Sequence, residues 1–248
     1  MLLLSTSVLE GYGLHKIFKL VSKSSFDGIN LDLNYSNFDT SDADYIKELS
    51  DEFNVPVLSI TAYERKMNKS EVDNILLIAK KLGVKNINFY PPFRKDKDTT
   101  WFSEYIGKVK EKFSDLNICI INVEPRTILF FIPEYKDATL NTIKKITGDT
   151  VLCVSSVDIT SGIDLLKTFS ILGNTIKNVF LSDRNTNKKE LFLGSGDMPL
   201  ESLFVKLKKA GYKGIFTLKI NPKEVGVGNE ELVLKRLKEA RDFIKEQI

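Results

Sequence analysis

The chain has 248 residues, 42% hydrophobic, 28% charged and 10% aromatic, a composition that excludes collagenous, low-complexity and disordered classes. A formal charge of +3, from 36 basic and 33 acidic residues, is too small to mark a polyanion partner. With 30 lysines to 6 arginines the chain is also poor in the bidentate donors that read nucleic acid, and its single histidine excludes any mechanism needing two. In chain order, an apolar start predicts a buried first strand over residues 2–9. Leu14, Ile17, Phe18 and Val21, at helical spacing, predict a helix over residues 13–24. Residues 28–34 read as the second strand, followed by a helix from about Asp42, whose carboxylate suits an N-cap. The third strand is expected over residues 57–63. The helix after it opens at a capping box, Ser70-Glu-Val-Asp73, and closes at Gly83.

The fourth strand, residues 86–90, stops at Pro91-Pro92 and leads to a helix over residues 99–116. The fifth, residues 118–124, ends at Pro125; an apolar loop at 128–132 and a helix over 138–146 follow. The sixth strand (151–158) precedes a helix over 162–172, and the seventh (176–183) precedes a polar loop and a helix over 200–210. A turn at Gly211-Tyr-Lys-Gly214 enters the eighth strand, 215–221, and a charged helix over 230–246 closes the chain. Eight strand-helix units require parallel strands and right-handed crossovers. In roughly 250 residues they predict one domain over 1–248, a single (β/α)8 TIM barrel of the α/β class. Gly11-Tyr-Gly13 lacks the third glycine of a dinucleotide-binding turn.

Met1-Leu2-Leu3-Leu4 has no basic segment before it and breaks at Ser5-Thr6-Ser7, unlike a secretory leader, and no apolar run approaches the ~18 residues of a membrane helix. Two cysteines, Cys119 and Cys153, form no disulfide framework. The expectation is a cytoplasmic protein with two buried thiols, both facing the helix layer.

In such a barrel the site lies at the carboxyl ends of the strands, where Asp32, Asn34, Thr61, Tyr90, Glu124, Asp158, Asp183 and Lys219 fall. Each alone is as well explained by a helix cap or solvent contact. Together they mark a polar mouth. Glu124 and Asp158 end neighbouring apolar strands, and two close carboxylates either share a proton or take a positive partner, for which Lys219 is the candidate.

The residues that carry a family resemblance run the length of the chain. Phe26-Asp-Gly-Ile-Asn-Leu-Asp32, Val123-Glu124-Pro125, Val157-Asp158 with Thr160 and Gly162, Val179-Phe-Leu-Ser-Asp-Arg184, Leu193-Gly-Ser-Gly-Asp197 and Gly211–Lys219 resemble, in order, segments of the xylose isomerase-like barrels. That superfamily holds sugar isomerases and epimerases and a nuclease branch. The resemblance implies four metal ligands, at the positions of Glu124, Asp158, Phe180 and Lys219. Two are replaced: phenylalanine cannot ligate, and lysine brings an ammonium where an ion needs an anion. The resemblance therefore implies a sugar or sugar-phosphate isomerase/epimerase-like protein with a degenerate metal site. Its activity would be metal-free, with Glu124 as base and Lys219 as electrostatic stabiliser. Asp32, Tyr90, Asp158, Asp183 and Arg184 are the candidate substrate contacts. The alternative is a non-catalytic barrel that binds a small polyol, a sugar phosphate or a protein partner. No cofactor is expected, and a divalent metal (Mn, Mg, Co or Zn) only if other residues rebuild the site.

Gly194-Ser-Gly196, after the seventh strand, is a short candidate phosphate cradle or simply a turn. Arg126 and Arg184 lie past strand ends, where they reach an anionic substrate or solvent. Ile128–Ile132 reads as a buried loop, a lid or a contact between identical chains in a homo-oligomer. His15 reads as a surface or packing residue. The expected partner is a small-molecule sugar or sugar phosphate, with no nucleic acid and no membrane.

Overall fold

The computed structural model describes residues 1–96, 99–129, 131–157 and 164–248. Leucine-rich and β-branched runs form eight parallel strands: β1 (Leu2–Ser5), β2 (Gly28–Asp32), β3 (Val57–Thr61), β4 (Asn86–Phe89), β5 (Asn117–Ile121), β8 (Asp149–Cys153), β9 (Ile176–Leu181) and β10 (Ile215–Leu218). They close into a barrel in the order β1-β10-β9-β8-β5-β4-β3-β2. A two-stranded antiparallel hairpin, β6 (Thr127–Ile128) and β7 (Ile132–Pro133), stands apart after β5. The crossover helices are α1 (Leu14–Ser22), α2 (Ala43–Phe53), α3 (Lys69–Leu82), α4 (Phe102–Lys112), α5 (Leu140–Thr147), α6 (Leu165–Leu172) and α7 (Leu200–Lys209). A short α8 (Pro222–Val225) and a long α9 (Glu230–Gln247) follow β10. Among the described residues no helix is long and apolar enough to cross a membrane.

Alternation along each strand sorts side chains into two layers. Leu2, Leu4, Ile29, Leu31, Ile60, Ile87, Phe89, Ile120, Leu152, Val179, Leu181 and Leu218 point outward and join Ile17, Phe18, Ile46, Ile75, Ile106 and Leu203 from the helices in one core. The inward set is divided. Around β2–β4 it is polar: Asn30 donates to Thr61 at 2.9 Å, and Asn88 donates to Ser59 at 2.9 Å and Asn30 at 3.2 Å. Around β5, β8 and β9 it is an apolar cluster of Cys119, Ile121, Val151, Cys153 and Phe180. Both thiols are free and lie inside the barrel, not against the helices as alternation counted back from Glu124 and Asp158 predicts. The parity fails because β5 and β8 end at Ile121 and Cys153, and the chain beyond them no longer alternates.

The strands are shorter than their apolar runs for a similar reason. After Ser5 the chain turns into a 3-10 helix, Thr6–Leu9, which turns hydroxyls toward the neighbouring strand: Thr6 Oγ1 accepts from the Asp32 amide at 2.9 Å. Helix α2 has the expected Asp42 cap, accepting from the amides of Asp44 and Tyr45. Helix α3 starts earlier than expected, with Asn68 capping the Glu71 amide at 3.0 Å, and it ends at left-handed Gly83 (φ 69°). The cap is thus Asn68, two residues ahead of the capping-box candidate Ser70. The beginning of the helix expected from 162 lies outside the described residues; α6 is capped by Asp164, accepting from Lys167 at 2.7 Å.

Candidate functional site

The carboxyl ends of the strands hold two charge clusters. At the first, β1, β2 and β10 converge on Asp32. Its Oδ2 accepts from Ser5 Oγ at 2.5 Å and Asn30 Nδ2 at 3.0 Å, and its Oδ1 accepts from Lys219 Nζ at 2.5 Å. Lys219 also donates to Ser7 Oγ at 3.2 Å and lies over the Phe180 ring at 5.5 Å. Burial alone would depress the ammonium, but the Asp32 carboxylate, with Tyr90 and Glu190, more than reverses this and holds Lys219 above the ordinary lysine value. It is a permanent cation, not a base.

The second cluster surrounds Glu124, three residues past the end of β5. Arg184 Nη1 donates to Oε1 at 2.9 Å, and Arg126 Nε (3.0 Å) and Lys189 Nζ donate to Oε2. Burial pushes the carboxyl up, but these three cations outweigh it and hold Glu124 at about 2. The expected pairing of Lys219 with Glu124 is therefore corrected. Lys219 goes to Asp32 across the β10–β1–β2 side, and Glu124 takes cations from its own loop and the loop after β9. Asp158, with Thr160 and Gly162, lies outside the described residues.

Asp183 and Arg184 also take places other than the substrate contacts expected of them. Asp183 is 1% exposed, and its carboxylate accepts four backbone amides: Arg184 (2.7 Å) and Met198 (3.1 Å) at Oδ1, Gly194 (3.1 Å) and Gly196 (2.9 Å) at Oδ2. The glycine loop is thus folded around an internal anion, and the amides that would cradle a phosphate are occupied. A Cβ on Gly196 would lie 2.4 Å from both Arg184 O and Asp183 Oδ1, so only glycine lets the loop close this tightly. Arg184 is buried. Besides Glu124 it donates to the carbonyls of Ser155 (3.2 Å) and Val157 (3.0 Å), which ties the β8 and β9 loops together. His15 is on the surface beside Glu52 (3.6 Å) and Phe53.

Beside the Asp32 cluster opens a cavity of about 860 Å³ over the ends of β1–β4, lined by Ser7, Asp32, Thr61, Tyr63, Glu64 and Tyr90 among others. Of the strand-end residues singled out in the sequence, Asp32, Asn34, Thr61 and Tyr90 line it. Burial pushes the Tyr90 phenol up, partly offset by Lys219, so it remains a neutral hydroxyl. Tyr35 and Tyr63 stack at 3.8 Å on the same wall. Two carboxylates were not singled out in the sequence. Glu64, three residues past β3, lines the cavity and accepts from the Tyr135 hydroxyl. Glu190, in the loop after β9, has a left-handed backbone (φ 54°) and a half-buried carboxyl on which the charges of Lys219 and Asp32 act. Glu64 follows a strand-end Thr61 and was open to the same position argument; Glu190 lies in a polar loop with no such marker.

Among the described residues, the side chains at the ligand positions the family resemblance implies do not fit a metal ion. Phe180 is fully buried among Cys119, Ile121, Val151 and Cys153, Lys219 is a cation bonded to Asp32, and both oxygens of Glu124 carry cationic donors. Among the described residues no group of three or more His, Cys, Asp or Glu side chains could hold an ion.

The fold has solved neighbours. D-allulose 3-epimerase from Methylomonas sp. is 14% identical at TM-score 0.73, with 100% of this chain and 97% of that one covered; a second structure of it contains D-allulose. A D-tagatose 3-epimerase-like protein is 16% identical at TM-score 0.71, covering 99% and 96%. An IolI protein with a bound zinc atom is 15% identical at TM-score 0.72, covering 100% and 99%. No curated protein matches the chain. The family description "Xylose isomerase-like TIM barrel" matches residues 18–247, nearly the whole barrel described above, and the chain belongs to that family.

Proposed function

We propose that the protein handles a sugar or sugar phosphate as an isomerase/epimerase-like barrel that needs no metal ion. The observation that carries this reading is the buried Asp32–Lys219 pair beside a hydroxyl-lined cavity of about 860 Å³. Lys219 supplies a fixed positive charge at a position where the family carries a ligand for its ion, and such a charge stabilises an oxyanion without reorganising. Ser7, Thr61, Tyr63 and Tyr90 offer hydroxyls to a polyol, and the Tyr35–Tyr63 stack offers an apolar face. Glu124, held at about 2 by three cations, serves as an organiser of the rim and not as its base. Arg126 and Lys189, the more exposed partners of Glu124, supply the positive charge that a phosphate would meet. The D-allulose held by one neighbour makes ketoses the first ligands to try. Two free thiols suit a reducing, cytoplasmic setting.

The test is the metal content of the purified protein, with its melting temperature measured against Mn²⁺, Mg²⁺, Co²⁺, Zn²⁺, a chelator, and a panel of sugars and sugar phosphates. We expect no stoichiometric metal, no response to ion or chelator, and a rise with at least one sugar. A bound ion whose removal lowers the melting temperature would overturn the reading. The second reading, a non-catalytic barrel with a protein partner or a second copy, is favoured by one observation. Leu129 and Phe131 of the β6–β7 hairpin are 68% and 76% exposed.

A further inference from the structure

Around the barrel, consecutive helices lie side by side: α1 on α2, α2 on α3, α4 on α5, α5 on α6 and α6 on α7. Between α3 and α4 the helix layer opens into a groove of about 710 Å³. The two helices are tied near their starts, where the Tyr105 hydroxyl donates to Asp73 at 2.5 Å and Lys69 lies 5.8 Å from the centre of the Tyr105 ring. From that tie the groove follows α3 to Gly83, a run of roughly 15 Å at about 1.5 Å of rise per residue. Its lining is largely apolar. Leu76 and Leu77 come from α3, Val109 and Phe113 from the side of α4, and Leu116 from the turn beyond. Leu77 is 65% exposed, on a helix whose other apolar side chains pack into the core.

Cations stand on both rims, Lys80 and Lys85 on the side of α3 and Lys108 and Lys112 on α4. Lys108 is paired with Glu104 one turn back. Lys80, Lys85 and Lys112 make no ion pair among the described residues. Of the two carboxylates in the lining, Asp73 is held by Tyr105, and Asp115 sits at the opposite end.

Two features fix the kind of partner. The eight strands beneath the helices are all paired in a closed barrel, so the groove offers no strand edge to an extended chain. A helix keeps its backbone hydrogen bonds to itself and needs only an apolar trough. Cations on opposite rims also call for several anions spread along the ligand, which the single carboxylate of an acyl chain does not supply. We propose that the α3–α4 groove docks an acidic amphipathic helix of a partner protein. Its apolar side chains, at three- and four-residue spacing, cover Leu76, Leu77 and Phe113, and its flanking carboxylates meet Lys80 and Lys112. No residue of this groove lines the cavity at the strand ends, so the two surfaces are separate.

The experiment titrates the full chain into a fluorescein-labelled peptide of about 18 residues, with leucine at a three- and four-residue repeat and glutamate elsewhere. A second peptide carries lysine in place of every glutamate. By fluorescence anisotropy we expect saturable binding of the acidic peptide with Kd below ~100 µM, at least ~10-fold weaker at high salt and for the lysine peptide. Leu77→Glu, and Lys80→Glu combined with Lys112→Glu, replace exposed side chains and should each weaken binding at least ~10-fold with the melting temperature unchanged. In wild type, amide resonances of residues 76–85 and 105–116 should shift on titration while those at the ends of β1–β4 stay in place, a readout that holds even where a variant is destabilised. Absence of saturable binding, equal binding of the lysine peptide, binding unchanged in both variants, or shifts elsewhere on the barrel would each overturn the proposal. Shifts of the same amides on concentrating the protein alone would make a second copy the occupant. Shifts with sodium laurate but not with the peptide would make it an acyl anion, and either result would overturn the proposal as well.

Discussion

Lys219 and Asp32 have side chains only 11% and 14% exposed, so each depends on the other for a charge that water no longer solvates. Replacing Lys219 with methionine keeps the volume of its stem and leaves the Asp32 carboxylate with only Ser5 and Asn30 as side-chain donors. Lys219→Met should lower the free energy of urea unfolding by about 3–5 kcal/mol, the usual cost of stranding one member of a buried pair. Adding Asp32→Asn should restore more than half of that loss, because the stranded charge is then gone. If the single and double variants are equally destabilised, the pair is not the unit that this geometry describes.

At the scale of elements, the loop after β9 is organised from within by an acidic residue. Asp183 sits two residues past the strand and gathers amides from as far along as Met198, so α7 starts from a loop folded around one carboxylate. Removing it leaves four inward amide donors without their acceptor. Asp183→Ala should cost about 1–3 kcal/mol or more in stability. Amide hydrogen exchange should rise at Gly194, Gly196 and Met198 while the amides of β1–β4 stay protected. Uniform loss of protection across the barrel would show that the loop is not an independent unit. The same loop contains the reach of Lys189 to Glu124, so its shape bears on that charge cluster.

Across the whole molecule, Glu124 links the β5 loop to Arg184 and Lys189 of the β9 loop, and Arg184 carries the link on to the β8 loop. Its folded value of about 2 lies below the ordinary 4.5, so the ionised carboxylate adds stability that is fully present above the unfolded value and is lost as pH falls through the folded one. The stability difference between wild type and Glu124→Gln should therefore be constant above pH 4.5–5 and shrink between about 4.5 and about 2. A difference independent of pH over that window would show that Glu124 is not held by its cations. The barrel itself was legible from eight alternating runs separated by helical ones, and the strand-end rule drew attention to Asp32, Tyr90, Glu124, Asp183 and Lys219, which lie at that end of the barrel. What it missed was their partners. Pairing of Lys219 with Glu124 rested on their strand ends facing one mouth, but β10 closes the barrel against β1, which places Lys219 next to Ser7 and Asp32.

Periodicity and composition by themselves determine the element order, the parallel barrel and the absence of a histidine pair, because these depend on spacing along one chain and on residue chemistry. The replacement of two ligand positions by Phe180 and Lys219 is likewise a matter of sequence, read against the family pattern. Which carboxylate meets which cation was decided only by the tertiary structure, since Asp32 and Lys219 are 187 residues apart and meet through barrel closure. The orientation of Cys119 and Cys153 depended on where β5 and β8 stop. Local pattern sets the period of a strand; its last residue, and the partner its charge finds, are set by contacts with the rest of the fold.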